Sequence, residues 1–389
     1  MIKPFLVILS VLALAACGTT EKETGEKEKI STDNNKEVVE EEVLFPYDTL
    51  LTDMSKFIAG IRVEKFFDDL QSQTYYNEHR KFTDTSWAKT KKNMLEPIGK
   101  WCIDKKTTDA SDSVLCFYPL SGPDFLFGNT FFPHSNNYVL LGLEPNGSMC
   151  DFKELNEAQI TRYLSGVRES MAYLNKAGYF VTSHMSGDFN RAQLNGMVHM
   201  MLYMMARTNH TIVAVNKISV DSAGNVSVTT EKKLEEPNLA GVRIDFLSPD
   251  RKTKKSAYYF RLNVRDKEIK QITGFVPFIN AFGKRVSYMK SASCVLTNTD
   301  FSVMRNLVLG SEKVVQDDTG VPYHYFSSDT FDISLYGEYT MTIKDLNWCM
   351  QNDLKKAILK SPDNKPLPFR ISYNGNYNEG MLLFAKRKK

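Results

Sequence analysis

The residues of this chain that could do chemistry fall in three stretches. The first is Phe117-Tyr118-Pro119-Leu120-Ser121-Gly122-Pro123-Asp124-Phe125, which puts a hydroxyl and a carboxylate in one turn, with His134 downstream and Glu144 after the next apolar run. Serine, imidazole and carboxylate in contact could transfer an acyl group, the imidazole taking the serine proton. The strict G-x-S-x-G elbow is missing, since position 119 is proline, so Ser121, Asp124, His134 and Glu144 are weak hydrolase candidates. In the second stretch His184, Asp188, His199 and His210 are of metal-ligand type. Met197, Met200, Met201 and Met204 recur around His199 at helical spacing, which marks a core face, so no metal is assigned. The third stretch, Asp317-Asp318-Thr319-Gly320, contains the D-T-G of aspartic proteases. That chemistry needs a second carboxylate from a second copy, and a single D-T-G is an ordinary turn. Asp188, Arg207, Asp317 and Tyr323 are binding candidates, and an open cleft collecting Asp124, Asp188, Arg207 and Asp317 would favour an enzyme.

The elements that must position these residues read as α/β. Apolar residues recur at helical spacing between Tyr47 and Lys100, as in Leu50, Leu51, Met54, Phe57 and Ile58, which predicts a helical layer. Short apolar runs at 114–118, 138–143 and 179–182 then alternate with helical patterns at 154–176 and 191–207. Such alternation predicts a mainly parallel sheet with flanking helices in the first half. Beyond His210 the chain is strand-rich, a mixed α+β second half. Strands are expected at 211–220, 225–230, 242–247, 256–264, 331–339, 369–373 and 381–386, the first two joined by an Asp221-Ser222-Ala223-Gly224 hairpin. Helices are expected at 299–309 and 345–359, and a subdivision could fall near 231–237.

A strand, a Ser-Gly turn and a second strand ending in Glu144 form the layout of a nucleotide-type crevice. Pro123 removes an N–H from the turn and no G-x-G-x-x-G is present, so the phosphate-cradling loop is absent. The segment distantly resembles methyltransferases that bind S-adenosylmethionine, which need only an acidic residue at that strand end. An exported protein has no supply of that cofactor, and no cofactor is assigned.

Export is read from the first residues. Lys3 precedes an apolar run from Phe5 to Ala16, about a dozen residues, the length of a signal segment. That is short of the roughly 20 residues a membrane-spanning helix needs. Leu14-Ala15-Ala16-Cys17 resembles the bacterial lipoprotein signal, which implies cleavage after residue 16 and acyl chains, palmitate among them, on Cys17. Several acyl chains hold a protein stably to a membrane. Gly18, rather than the Asp that marks inner-membrane retention, favours the outer membrane. Residues 17–44 are rich in Glu and Lys and lack aromatics before Phe45, so they form a disordered acidic tether to a globular domain over 45–389.

The chain of 389 residues carries a net charge of only +3, so nothing calls for a nucleic-acid partner. Beyond Cys17, five cysteines remain: Cys102, Cys116, Cys150, Cys294 and Cys349. The polar segment between Cys102 and Cys116 could bring that pair together in an oxidising compartment.

Three groups of segments carry a further resemblance. They are Tyr118 to Phe125 with Gly142-Leu143-Glu144-Pro145, Ala206-Arg207-Thr208-Asn209-His210, and Gln316 to Tyr323 with Leu335-Tyr336-Gly337. Together they resemble a family of uncharacterised exported bacterial proteins, which implies one folded unit and a shared pocket but transfers no catalytic role. The expectation is a membrane-anchored envelope lipoprotein, a binding or assembly module meeting an envelope protein or a small molecule. The alternative is an envelope hydrolase built on the Ser121 turn. Replacing Cys17 by Ala should abolish incorporation of radiolabelled fatty acid; undiminished label on Cys17→Ala would sink the anchor.

Overall fold

The computed structural model describes residues 45–389 apart from 65–66, 110–113, 181–193, 230–238, 341, 343, 372 and 374–379. The signal, the tether, Cys17, His184, Asp188 and the 231–237 boundary therefore lie outside the described residues.

Side chains alternate across a pleated strand, and here both faces are apolar. β1 (Leu115–Tyr118) sends Leu115 and Phe117 into one core and Cys116 and Tyr118 into another, and β2 (Asn137–Gly142) divides its residues the same way. A strand apolar on both faces must be covered twice, which places it inside a layered α/β fold. The other strands are β3 (Thr211–Val220), β4 (Val226–Val228), β5 (Leu239–Leu247), β6 (Lys254–Arg261), β7 (Arg285–Met289), β8 (Lys313–Gln316), β9 (Phe331–Gly337) and β10 (Met381–Arg387). They form one mixed ten-stranded sheet in the order β4-β3-β5-β6-β2-β1-β7-β8-β10-β9. Strands β6, β2, β1, β7 and β8 run parallel. All other neighbours are antiparallel.

Helices cover both faces. α1 (Thr49–Ile58), α2 (Asp68–Ser72), α3 (Thr74–Thr90), α4 (Glu96–Lys105), α5 (Phe125–Phe131), α6 (Glu157–Ala177) and α7 (Val198–Arg207) contribute to the core under Tyr118, Tyr138 and Tyr259. α8 (Asp266–Gln271), α9 (Phe275–Ala281), α10 (Ser302–Leu309) and α11 (Asn352–Ile358) contribute to the core under Phe117, Leu141 and Phe260. Local signals set the helix starts: Asn156 and Gln159 close a reciprocal capping box on α6, and Asp124 caps α5.

The expected helical layer before residue 100 and the hairpin at Asp221 are present. The division into a parallel half and a strand-rich half is not how the sheet is built. The parallel block takes β1 and β2 from one side of 231–237 and β6, β7 and β8 from the other. Residues Phe369–Ile371 form no strand, and of the run expected at 179–182 only Tyr179 and Phe180 are described, outside any strand. Strands β7 and β8 were not expected, because Arg285, Ser287, Lys313 and Gln316 break their apolar runs.

The disulfide joins Cys294 to Cys349, with Cα atoms 6.4 Å apart, whereas Cys102 and Cys116 are both unbridged and buried. The pairing that the polar segment between them would allow is not formed: both of those thiols are packed into the aromatic core beneath β1. The bond closes a loop with a sequence separation of 55 residues. Loop-closure entropy for that length is worth about 4 kcal/mol. The double variant Cys294→Ser/Cys349→Ser should lose a stability of that order in urea unfolding, and an unchanged midpoint would refute the link.

Candidate functional site

The parallel strands, numbered by their appearance along the chain, lie in the spatial order third, second, first, fourth, fifth, which is that of a doubly wound sheet. From β1 the chain builds first toward β2 and β6, then returns to β1's other side with β7 and β8. The loops leaving β1 and β7 therefore diverge, and a crevice opens at the carboxyl ends of the strands. A cavity of about 700 Å³ occupies this place, lined by the segments that follow β1, β2, β6 and β7. Its volume suits a small organic ligand.

Two glycines allow its floor. Gly122 adopts φ +55°, a conformation that favours glycine, and its N–H donates to the Leu141 carbonyl at 3.0 Å. A Cβ on Gly142 would run into the Tyr259 hydroxyl and lie 2.6 Å from Glu144 Oε2 and 3.0 Å from Gly122 Cα. Glycine at 142 thus lets Glu144 fold back over the end of β2. Glu144 lines the cavity and is only 3% exposed. Its Oε2 accepts from the Leu143 N–H at 3.0 Å and the Tyr259 hydroxyl at 3.2 Å, while its Oε1 is buried with no hydrogen-bond partner.

The opposite wall is the loop after β7. Ser291, Ser293 and Cys294 have φ of +56°, +52° and +57°, and such conformations persist in non-glycine residues only where the surroundings hold them. Asp317, at the end of β8, supplies much of that hold. Its Oδ2 accepts from Ser291 N–H at 2.6 Å, and its Oδ1 accepts from Thr319 N–H at 2.8 Å and Thr319 Oγ1 at 2.6 Å. Thr319 Oγ1 in turn accepts from Ala292 N–H at 2.7 Å. The Tyr373 hydroxyl lies 2.5 Å from Ser293 Oγ and 2.7 Å from the Ser291 carbonyl, and its ring meets Tyr179 edge-on at 4.9 Å. The D-T-G segment is a structural clamp.

Below the cavity, Lys290 Nζ lies 2.8 Å from Asp124 Oδ2 and 3.5 Å from the centre of the Phe127 ring, and also donates to the Gly178 carbonyl. Asp124 Oδ1 caps α5 through the Phe127 N–H at 3.1 Å, and Oδ2 accepts from the Tyr118 hydroxyl at 3.0 Å. Burial pushes the Lys290 ammonium below its ordinary range, with Asp124 opposing the shift.

Of the residues singled out from sequence, Ser121 and Glu144 line the cavity, and Asp124 and Asp317 brace it. The hydrolytic set does not assemble. Ser121 Oγ donates to the Gly122 carbonyl at 2.8 Å and accepts from Leu141 N–H at 3.2 Å, so it staples the turn to β2. His134 is exposed and precedes β2, at the opposite end of the sheet from Ser121, a separation on the order of 15–20 Å for a strand of this length. Arg207 pairs with Asp84 at 2.8 Å beside a separate hollow lined by Trp87 and Lys91, and Tyr323 borders another hollow with Ser361. His199 is buried between the Tyr163 hydroxyl at 2.7 Å and Asn195 Oδ1 at 3.2 Å. Among the described residues no cluster of three or more His, Cys, Asp or Glu could hold a metal, and no helix is long and apolar enough to cross a membrane.

Sequence reading missed the wall formed by Tyr179, Phe180, Ser291 to Ser293 and Tyr373. It would have been found by recognising β7, since the loop after the fourth parallel strand must face the loop after the first. Comparison with protein-family models, with curated proteins and with solved structures finds no match for this chain.

Burial lowers His79 and His199 to about 4 and His210 to about 3. The unfolded chain binds protons near pH 6.5, before the folded chain does, so their contribution is full above that pH and lost as pH falls toward 4. Unfolding free energy should drop by up to about 1.4 kcal/mol per pH unit for each histidine. His210→Gln should flatten the slope measured between pH 6.5 and 4; an unaltered slope would show that this ring titrates normally.

Proposed function

We propose that this chain is a lipid-anchored protein of the bacterial cell envelope, held at the outer membrane through Cys17, whose domain binds a small organic molecule in the cavity at the ends of β1, β2, β6 and β7. The observation that carries this reading is Glu144. A carboxylate oxygen left buried without a donor is costly, and here the side chain borders a cavity large enough for a ligand that brings one. The strained Ser291–Cys294 loop supports a binding role too, because strain of this kind collects at functional sites. A disulfide between Cys294 and Cys349 accords with the oxidising compartment that the export signal implies. We read the five parallel strands and their helices as a doubly wound unit, to which the antiparallel β3–β5 and β9–β10 are added.

Catalysis by Ser121 is disfavoured because its hydroxyl is committed to backbone groups and, among the described residues, no imidazole reaches it. The protein purified natively from membranes should release a small molecule on denaturation, at a stoichiometry read by mass spectrometry. Asn263→Trp, which puts a bulky ring at the exposed rim of the cavity, should remove it while leaving the unfolding midpoint in place. Absence of any small molecule, with a partner protein retained by both wild type and Asn263→Trp, would favour an assembly role instead.

A further inference from the structure

We infer that the ligand of this cavity is a nucleoside without a 5′-phosphate, held through its ribose 2′-hydroxyl by Glu144; the inference rests on the small-molecule reading above.

A carboxylate can only accept hydrogen bonds, so the group it meets must donate. One oxygen of Glu144 has room for one hydroxyl, and an acidic residue at the end of the second parallel strand is where a doubly wound sheet takes ribose. Glu144 occupies that position. Its Oε2 is fixed by Leu143 N–H and Tyr259, and its Oε1 has no partner. Leu143 is 58% exposed at the cavity edge, and Leu120, Leu262 and Val264 continue that apolar border. A flat base laid against Leu143 would cover apolar surface that otherwise faces water.

The end of α5 in this crevice is closed to phosphate, and the exposed cation of the cavity border, Arg265, follows β6, two strands away from β1. In dinucleotide folds the pyrophosphate rests on the N-terminus of the helix after the first strand, where free N–H groups and the helix dipole attract anions. Here α5 has the Asp124 carboxylate at that end, accepting from the Phe127 N–H. Pro123 has no N–H to offer. The nearby cation, Lys290, is buried and already paired with Asp124. A phosphate arriving at that helix end would meet a carboxylate, not a donor.

The test is calorimetric titration of the full-length lipidated protein in detergent with the four ribonucleosides, then with the 2′-deoxy form and the 5′-monophosphate of whichever binds best. A ribonucleoside should bind, its 2′-deoxy form at least about tenfold more weakly, as expected for a lost hydrogen bond to a charged group. The 5′-monophosphate should also bind more weakly. Glu144→Gln should lower ribonucleoside affinity by a similar factor with its circular dichroism unchanged, and the deoxy comparison serves on wild type should that variant misfold. Equal or tighter binding of the 5′-monophosphate or of the 2′-deoxy form would overturn the inference. Binding of no nucleoside, while another molecule is released by wild type and lost from Asn263→Trp, overturns it and leaves the cavity reading standing. Release of no small molecule at all overturns both.

Discussion

Lys290 and Asp124 face each other at 2.8 Å with almost no access to solvent, and either charge alone at that depth would cost several kcal/mol. Each therefore requires the other, and together they fix three distant parts of the chain. Asp124 begins the helix after β1, Lys290 leaves β7, and Gly178, whose carbonyl takes a further bond from Lys290, ends α6 with φ +85°. The pair joins β1 and β7 where the sheet changes direction. The loops that diverge there, and the cavity between them, keep their spacing because this contact has one satisfactory geometry. An apolar pair of equal volume could stabilise as well, but would not select one register so sharply.

A second restraint works from the far side. The loop after β7 carries three non-glycine residues at positive φ, and each is tied to something outside the loop: Ser291 to Asp317 and Tyr373, Ser293 to Tyr373, Cys294 to Cys349. Hydrogen bonds and a covalent bond share the task of holding a backbone that would otherwise relax. The wall is thus rigid, with Phe180, Phe301 and Tyr373 contributing aromatic surface to the cavity. The floor follows a different principle, in which Gly122 and Gly142 bring two backbones close and leave Glu144 as the prominent polar group.

Much of the floor was legible in the sequence and little of the wall. β1 and β2 are uninterrupted apolar runs with turn residues behind them, so Ser121, Asp124 and Glu144 could be placed at strand ends before any coordinates. β7 and β8 are equally buried but carry polar residues that find partners outside their own strands. Arg285 donates to the Leu307 carbonyl, Ser287 lies 2.7 Å from Ser311, Lys313 reaches Asp109, and Gln316 exchanges two bonds with Val321. Period and composition see the polarity of such strands and not its satisfaction, so two inner strands went unassigned. The cysteine pairing failed for a related reason. Sequence proximity favoured Cys102 and Cys116, whereas the true partners meet only once the sheet has formed. His134 shared a stretch with real site residues but lies at the other end of β2, and Arg207 borders a separate hollow.

The position of β10 sets an order on assembly. Strands β8 and β9 both fall within the loop that the Cys294–Cys349 bond closes, yet they do not pair with each other, for Met381–Arg387 lies between them and bonds to both. Until that segment arrives, β8 and β9 each present an open row of backbone donors and acceptors, the kind of edge that recruits foreign strands. A nascent chain must therefore keep a slot of one strand's width vacant, flanked by two sticky margins, until a segment almost 50 positions beyond Leu335 comes to fill it, as Leu383 does opposite Leu335. Completion of the sheet is in this sense a late docking event, internal to the chain but resembling the capture of a peptide by strand addition.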